Sequence, residues 1–122
     1  MEFFDSHAHY NDEKFNEDEE DIIKYIYNEG VTKLTCAGYC LESSKKAIEL
    51  SEKYEYIYAT CGISPNDIEG IEIQDLEKIE NLAKTNKKVV AIGEIGLDYY
   101  WNKENKEKQK EIFVRQIEIA NR

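Results

Sequence analysis

The sequence has no apolar run of about 18 residues or more, which is what a membrane-spanning helix requires. It also has no basic, apolar, small-residue leader, so neither a membrane span nor a signal peptide is expected. Cysteine is scarce, and Cys36, Cys40 and Cys61 form an odd set without a paired disulfide framework. We therefore expect reduced thiols with a packing role, in a cytoplasmic protein.

Positive charge is also in short supply. Lys and Arg number 16 against 26 Asp and Glu, which leaves a net charge of -10. This balance excludes broad electrostatic capture of a nucleic-acid backbone, so any nucleic-acid role must be local. A bound divalent cation could supply positive charge locally. The alternative is that the acid excess serves only solubility.

The sequence has one proline, Pro65, and no low-complexity linker or internal repeat, so a single domain is predicted. Short apolar, β-branched or aromatic stretches alternate four times with helical patterns. The predicted strands lie near residues 3–7, 33–36, 56–61 and 89–94. The last helical pattern carries an apolar stripe of Ile112, Phe113, Ile117 and Ala120. This order predicts an α/β fold, a parallel (βα)4 unit with right-handed crossovers.

The length fits half of a closed barrel. A (β/α)8 barrel typically needs about 250 residues, and the last helical pattern is still running at Arg122. We therefore expect residues 1–122 to be the N-terminal half of one TIM-barrel domain, with the C-terminal half absent or supplied by another chain. An open four-stranded sheet leaves edges to be covered, so self-association through these edges is a further expectation.

The only two histidines occur together, at the end of the first predicted strand, in the segment DSHAH. Side chains of a strand alternate, so His7 and His9 project from one face about 7 Å apart, with Asp5 on the same side. The carboxyl ends of parallel strands are where α/β enzymes place their chemistry. The spacing predicts that both imidazoles bind one metal ion and that Asp5 holds a ring N–H. The alternative is a hydrogen-bonded pair without a metal.

A carboxylate ends the fourth predicted strand, in the segment GEIG. A carboxylate at the edge of a buried sheet is costly unless it is paired or metal-bound. Gly93 and Gly96 predict close approach of backbone or ligand. We expect Glu94 to join His7 and His9 as a metal ligand, and a carboxylate can bridge two ions where an imidazole cannot. A hydrogen bond to the following loop is the alternative.

An aromatic segment comes next, at the same predicted end of the sheet. Tyr99, Tyr100 and Trp101 precede a mixed-charge stretch that contains several lysines. The aromatic faces could stack unpaired bases, with lysines nearby for phosphate. The alternative, favoured for any single residue, is that the aromatics close the barrel rim and the lysines are solvated helix surface.

Three motifs resemble those of the TatD family of metal-dependent deoxyribonucleases, in the amidohydrolase-like barrel superfamily. They are DSHAH at residues 5–9, GISPND at residues 62–67 and GEIGLDYY at residues 93–100. The likeness spans the whole chain, and GEIGLDYY is its most specific part. The resemblance implies a phosphodiester hydrolase that cuts DNA, with some relatives acting on aminoacylated tRNA. It also implies two divalent metal ions in a complete site, with Mg²⁺ expected and Mn²⁺ or Zn²⁺ as alternatives.

The resemblance implies that His7 and His9 bind one metal and that Glu94 bridges to a second. The family's two later histidines and its aspartate near the attacking water have no counterpart in these 122 residues. The second motif departs from the family, because Ser64 and Asn66 stand where histidines are usual. These two could bond a phosphate, but shaping a turn is the favoured interpretation.

The remaining expected site residues are supporting ones. Asp98 and Tyr99 are expected to orient ligands or contact substrate at the rim, as are Asp5, Ser64 and Asn66. Two other functions remain open. One is a non-catalytic half-barrel that dimerises and keeps at most weak metal binding. The other keeps the barrel and the metal but hydrolyses an amide or exocyclic amine bond.

Overall fold

A computed structural model describes residues 1–122, and four strands alternate with four helices in it. The strands are β1 (Phe3–Ala8), β2 (Val31–Ala37), β3 (Ile57–Cys61) and β4 (Val89–Ile92). The helices are α1 (Glu19–Asn28), α2 (Leu41–Lys53), α3 (Ile73–Thr85) and α4 (Lys106–Asn121). Short 3₁₀ turns lie at Glu13–Phe15 and Pro65–Asp67. None of the helices combines the length and the apolar character needed to cross a bilayer.

The four strands form one parallel sheet in the order β1-β2-β3-β4. Because crossovers between parallel strands are right-handed, this order places α1, α2 and α3 on one face of the sheet. The last helix, α4, packs beside α3, because its Ile112 and Ile119 lie in one apolar cluster with Leu76 and Ile79. In β2, Leu34 and Cys36 are fully buried and lie beside Ile57 and Ala59 of β3. The carboxyl ends of all four strands meet at one edge, so the residues that follow them are brought together there.

The apolar side chains between sheet and helices form two clusters. The first surrounds β2 and α2, and its fully buried members include Leu34, Ala47 and Ile57. The second lies between β3, α3 and α4 and includes Ile63, Leu76 and Ile79. Apolar contact between each helix and the sheet fixes the position of the strands, and therefore of the residues at their carboxyl ends.

The face of the sheet away from the helices is less covered. Phe4 of β1 and Val90 of β4 are each 57% exposed. Val90 follows Val89, which packs against both apolar clusters, and the alternation of a strand turns Val90 to the other side. The sheet therefore has one face packed by helices and one face with exposed apolar side chains.

The inward face of α4 differs from the predicted stripe. Ile112 is buried as expected, but Ile117 and Ala120 are exposed. The buried positions are Gln109, Ile112, Gln116 and Ile119. The stripe was wrong because it counted apolar residues only, whereas two buried amide side chains bond to backbone groups of the loops. Such buried amides are tolerated because their polar atoms are satisfied.

The cysteines agree with the packing role expected of them. All three are free thiols, and Cys36 and Cys61 are fully buried in the two apolar clusters. Burial raises the pKa of Cys36 to about 11 and that of Cys61 to about 11, so both stay protonated near neutral pH. Cys40 lies at the N-terminus of α2, where its sulfur accepts a hydrogen bond from the N–H of Ser43.

Candidate metal centre

The end of β1 brings the two histidine rings into contact. The register of β1 against β2 is irregular here, because the three steps from Asp5 to Ala8 match two steps on β2, from Leu34 to Cys36. Such irregularities re-aim side chains and are frequent beside functional sites. His7 lies within β1 and His9 directly after it. Their Nε2 atoms are 3.1 Å apart, and the rings meet edge to face with centroids 4.9 Å apart.

The backbone after β4 carries Glu94 to these rings. The ladder between β3 and β4 stops at Ile92, so the fourth strand is two residues shorter than predicted. Gly93 donates its N–H to the carbonyl of Cys61, 3.0 Å away, and Glu94 donates its N–H to the carbonyl of Gly38, 2.6 Å away. Glu94 therefore leaves the strand and bonds to the loop that follows β2.

The Glu94 carboxylate completes a triangle with the two imidazoles. Its Oε2 lies 3.0 Å from Nε2 of His9 and 3.5 Å from Nε2 of His7. The side chain of His7 is 56% exposed, whereas those of His9 and Glu94 are 34% and 35% exposed. We call this set, His7, His9 and Glu94, the triad. It is the one group of three or more potential ligand side chains whose ligand atoms all lie within 4.8 Å of one another.

The spacing of the triad suits the coordination sphere of a cation. With bonds of about 2.1 Å, adjacent ligand atoms lie about 3.0 Å apart in an octahedron and about 3.4 Å apart in a tetrahedron. The three observed separations are 3.0, 3.1 and 3.5 Å. A divalent cation therefore fits between the three ligand atoms with little rearrangement.

The orientation of the His9 ring is set by a backbone carbonyl. Its Nδ1 lies 3.1 Å from the carbonyl oxygen of Ala37, which can only accept, so Nδ1 carries the proton. Its Nε2 then faces the triad, and in the neutral imidazole this is the nitrogen whose lone pair is free to bind a metal. The sequence interpretation gave this contact to Asp5. Instead, Asp5 accepts a hydrogen bond from the backbone N–H of His7.

Two other supports of the triad escaped the sequence analysis. Asn11 is buried, and its side-chain amide donates to the carbonyls of Ala37 and Ser43, each 2.9 Å away. Tyr39 packs edge to face on His9 with ring centroids 5.5 Å apart, and burial raises the pKa of the Tyr39 hydroxyl. Only their positions in the sequence could have indicated them, because Asn11 follows the end of β1 and Tyr39 follows the end of β2.

Ser64 and Asn66 lie in the loop after β3, where they shape a turn. The Ser64 hydroxyl oxygen accepts the N–H of Asn66 at 3.1 Å, and the hydroxyl donates to Asp67 at 2.7 Å. Pro65 opens the 3₁₀ turn between them. Ser64 is thus engaged within the turn, as the favoured interpretation holds, whereas Asn66 extends its amide to Asp98 at 3.2 Å.

Asp98 and Tyr99 lie in the loop after β4. The Asp98 carboxylate accepts hydrogen bonds from the backbone N–H groups of Trp101 and Tyr100 and from the amide of Asn66. The N–H of Trp101 above all holds the pKa of Asp98 below its usual range. Tyr99 is half-buried, with the ammonium of Lys106 4.9 Å from its ring centre. The hydrogen bonds of Asp98 organise the loop and do not reach the triad.

A polar cluster at the carboxyl edge of a parallel sheet is the arrangement found in (β/α)8-barrel enzymes, whose active sites lie at that edge. The comparisons assign this chain to one such group. A family model described as "TatD related DNase" matches residues 4–122, and the chain belongs to this family. The resemblance of the three sequence motifs is thereby confirmed.

Individual relatives agree with this assignment. The chain is 41% identical over 117 residues to the "Uncharacterized metal-dependent hydrolase YabD" of Bacillus subtilis, and the match covers 96% of this chain and 46% of the relative. It is 33% identical to the "3'-5' ssDNA/RNA exonuclease TatD" of Escherichia coli, again over 96% of this chain and 45% of the relative. The chain thus spans about half the length of the curated relatives it matches.

A solved structure supports the fold directly. The crystal structure of YjjV, a TatD homologue from Escherichia coli, superposes on this chain with a TM-score of 0.88 and 31% sequence identity. The superposition covers 97% of this chain and 46% of that one. The predicted fold class, a parallel (βα)4 unit of a (β/α)8 barrel, is confirmed.

Proposed function

We propose that this chain supplies part of the active site of a divalent-metal phosphodiester hydrolase, with His7, His9 and Glu94 as metal ligands. The observation that carries the proposal is the triangle of ligand atoms, with edges of 3.0, 3.1 and 3.5 Å at the carboxyl edge of the sheet. We further propose that residues 1–122 are the N-terminal half of one barrel domain and that Glu94 bridges to a second ion.

The residues around the triad have definable tasks. A divalent ion supplies activation of the attacking water and stabilisation of charge on the phosphate oxygens. The Ala37 carbonyl keeps the Nε2 lone pair of His9 directed inward. A cavity of about 370 Å³, lined in part by His7, Thr60 and Glu94, opens beside the triad. It gives a phosphate group access to the ligands.

The chemistry of the donors bears on the choice of ion. Mg²⁺ prefers oxygen ligands, whereas imidazole nitrogen suits Zn²⁺, and Mn²⁺ accepts a mixed set. Two imidazoles and one carboxylate therefore favour Mn²⁺ or Zn²⁺ over the Mg²⁺ that the family resemblance implies. The order of affinity we propose is Zn²⁺, then Mn²⁺, then Mg²⁺.

For the substrate we propose single-stranded nucleic acid. The family is described as DNase, and one relative is named as an exonuclease of single-stranded DNA and RNA. The net charge of -10 supports a local mode of capture, in which the metal ions and a few side chains hold the phosphates.

The test is hydrolysis of an end-labelled single-stranded DNA by the protein with Mn²⁺, Zn²⁺ or Mg²⁺ added after treatment with EDTA. We expect Glu94→Gln to lose about 100-fold or more in rate, because even residues that support metal ligands contribute 10- to 100-fold. The matched control is Glu52→Gln, an exposed glutamate of α2, which should keep the full rate. Equal and measurable rates in Glu94→Gln and wild type would refute the assigned role.

Amide or amine substrates are tested in the same way. Cleavage of an amide or deamination of a base in the absence of DNA cleavage would favour the related amidohydrolase chemistry over the proposal. The remaining alternative, a non-catalytic half-barrel that pairs with a second copy, draws on the exposed Phe4 and Val90 of the open sheet face. Light scattering that shows a dimer without hydrolytic activity would support it.

A further inference from the structure

The loop after β4 exposes two large aromatic side chains side by side. We call residues 98–105 the aromatic loop. Tyr100 is 75% exposed and Trp101 74% exposed, and their rings meet edge to face with centroids 4.7 Å apart. Single exposed apolar residues are ordinary on protein surfaces, but a contiguous patch rimmed by polar groups marks an interaction site.

The backbone beneath these rings is held in place. Asp98 accepts the N–H groups of Tyr100 and Trp101 at 3.0 and 3.2 Å. The buried Gln109 donates to the carbonyls of Asp98 and Asn102, both 3.0 Å away. Its carbonyl oxygen accepts the N–H of Asp98 at 2.8 Å. The aromatic loop is therefore preorganised, which lowers the entropic cost of binding a ligand on it.

The aromatic loop lies at the same edge of the sheet as the triad. Asn66, in the loop after β3, bonds to Asp98 and accepts the amide of Asn102 at 2.9 Å. Trp101 follows Glu94 by seven residues, so their Cα atoms are at most about 25 Å apart. That distance is a few nucleotides of an extended strand.

The charge around the rings is unusual for this chain. Residues 103–110 contain four of the 16 basic residues, Lys103, Lys106, Lys108 and Lys110, against two glutamates, Glu104 and Glu107, in a chain of net charge -10. A cavity of about 420 Å³ lies beside the rings, lined in part by Trp101, by Lys103 and by the carboxylates of Glu69 and Glu104. Flat aromatic faces beside lysine side chains and a cavity are complementary to an unpaired base and its phosphate.

We infer that Tyr100 and Trp101 stack the unpaired bases of a single-stranded nucleic acid whose scissile phosphate lies at the triad. This inference rests on the proposed phosphodiester hydrolase function and adds a subsite to it. Both faces of a base inside a duplex are covered by the neighbouring base pairs, so stacking here selects single strands. Base stacking on aromatic residues tolerates any sequence, and the affinity lost with one such ring is roughly 5- to 150-fold.

The test measures binding alone, by fluorescence anisotropy of a labelled 12-nucleotide oligothymidylate in EDTA, where hydrolysis is off. We expect Trp101→Ala to weaken binding roughly 5- to 150-fold and Trp101→Phe to weaken it less. An oligonucleotide of equal length with abasic sites should bind the wild type weakly and should not respond to Trp101→Ala. The matched control is Tyr25→Ala, because Tyr25 is an exposed tyrosine of α1 and its loss should change nothing.

Three outcomes would overturn the inference. They are equal affinity of Trp101→Ala and wild type, the same loss with the abasic strand, and the same loss in Tyr25→Ala. Self-association that disappears in Trp101→Ala would instead assign the rings to a protein interface. The proposed function is separable, since Glu94→Gln should abolish hydrolysis yet bind the oligothymidylate normally in EDTA.

Discussion

Gly62 is the position where one added methyl group should disable the triad. A Cβ on Gly62 would lie 2.7 Å from both the carbonyl carbon and the carbonyl oxygen of Gly93, and 3.0 Å from the carbonyl oxygen of Glu94. Ordinary contact begins at 3.4 Å, so the backbone that carries Glu94 must retreat by about 0.7 Å, and overpacking of this kind costs about 1–3 kcal/mol. Metal–ligand distances stay within about 0.2 Å of their usual values, so a displacement of this size disturbs the site.

We therefore expect Gly62→Ala to unfold at lower urea concentration and to bind Mn²⁺ about 10- to 100-fold more weakly, as judged by calorimetric titration. Gly93→Ala is the matched control, because a Cβ there would meet only the Thr60 side chain, at 3.7 Å or more. It should bind Mn²⁺ more tightly than Gly62→Ala does. Undiminished Mn²⁺ affinity in Gly62→Ala would refute the view that this close approach positions Glu94.

Two further predictions concern the loops. Gln116→Leu removes the amide that bonds to both backbone groups of the buried Ile63. Leaving the N–H and the carbonyl of Ile63 without partners destabilises the fold by about 1–3 kcal/mol each. Burial of the apolar leucine side chain stabilises the fold by about 2 kcal/mol. We therefore expect the free energy of unfolding, measured in urea, to fall by about 2 kcal/mol, with no change for the exposed Gln74→Leu. Folding lowers the pKa of Asp98. The ionised carboxylate therefore stabilises its loop above about pH 4, and this stabilisation is lost as the pH falls through the pKa of Asp98 in the folded protein. Trp101 fluorescence should then show an acid transition that Asp98→Asn lacks, and an identical transition in that variant would contradict the assignment.

The alternation of strands and helices was predictable because it depends on local pattern alone. Short apolar and β-branched runs predicted all four strands, and the alternation of strands with helical patterns predicted a parallel sheet. The end of β4 was not predictable in the same way. Glu94 continues the strand pattern, yet its N–H bonds to Gly38 of another loop. A tertiary hydrogen bond of this kind leaves no trace in the residue types near position 94.

The glycines show the same limit. The sequence interpretation gave the close approach to Gly93 and Gly96, but a Cβ on Gly93 meets only ordinary contacts. Gly96 has a φ of +151°, which glycine adopts more readily than other residues, so backbone conformation and not a close contact explains the glycine there. The close approach to the Glu94 backbone belongs to Gly62, which lies 31 residues before Gly93 in the chain, and Gly38 approaches Ser44 as closely. The proximity of the triad could be predicted from strand ends, whereas the backbone contacts that hold it required the structure.

We propose that His7, His9 and Glu94 hold one divalent cation. Crystals of the protein soaked in Zn²⁺ or Mn²⁺ and measured at the absorption edge of the metal test this directly. We expect an anomalous peak about 2.1 Å from Nε2 of His7, from Nε2 of His9 and from a carboxylate oxygen of Glu94. A map without a peak there, or with the metal bound elsewhere on the chain, would contradict it.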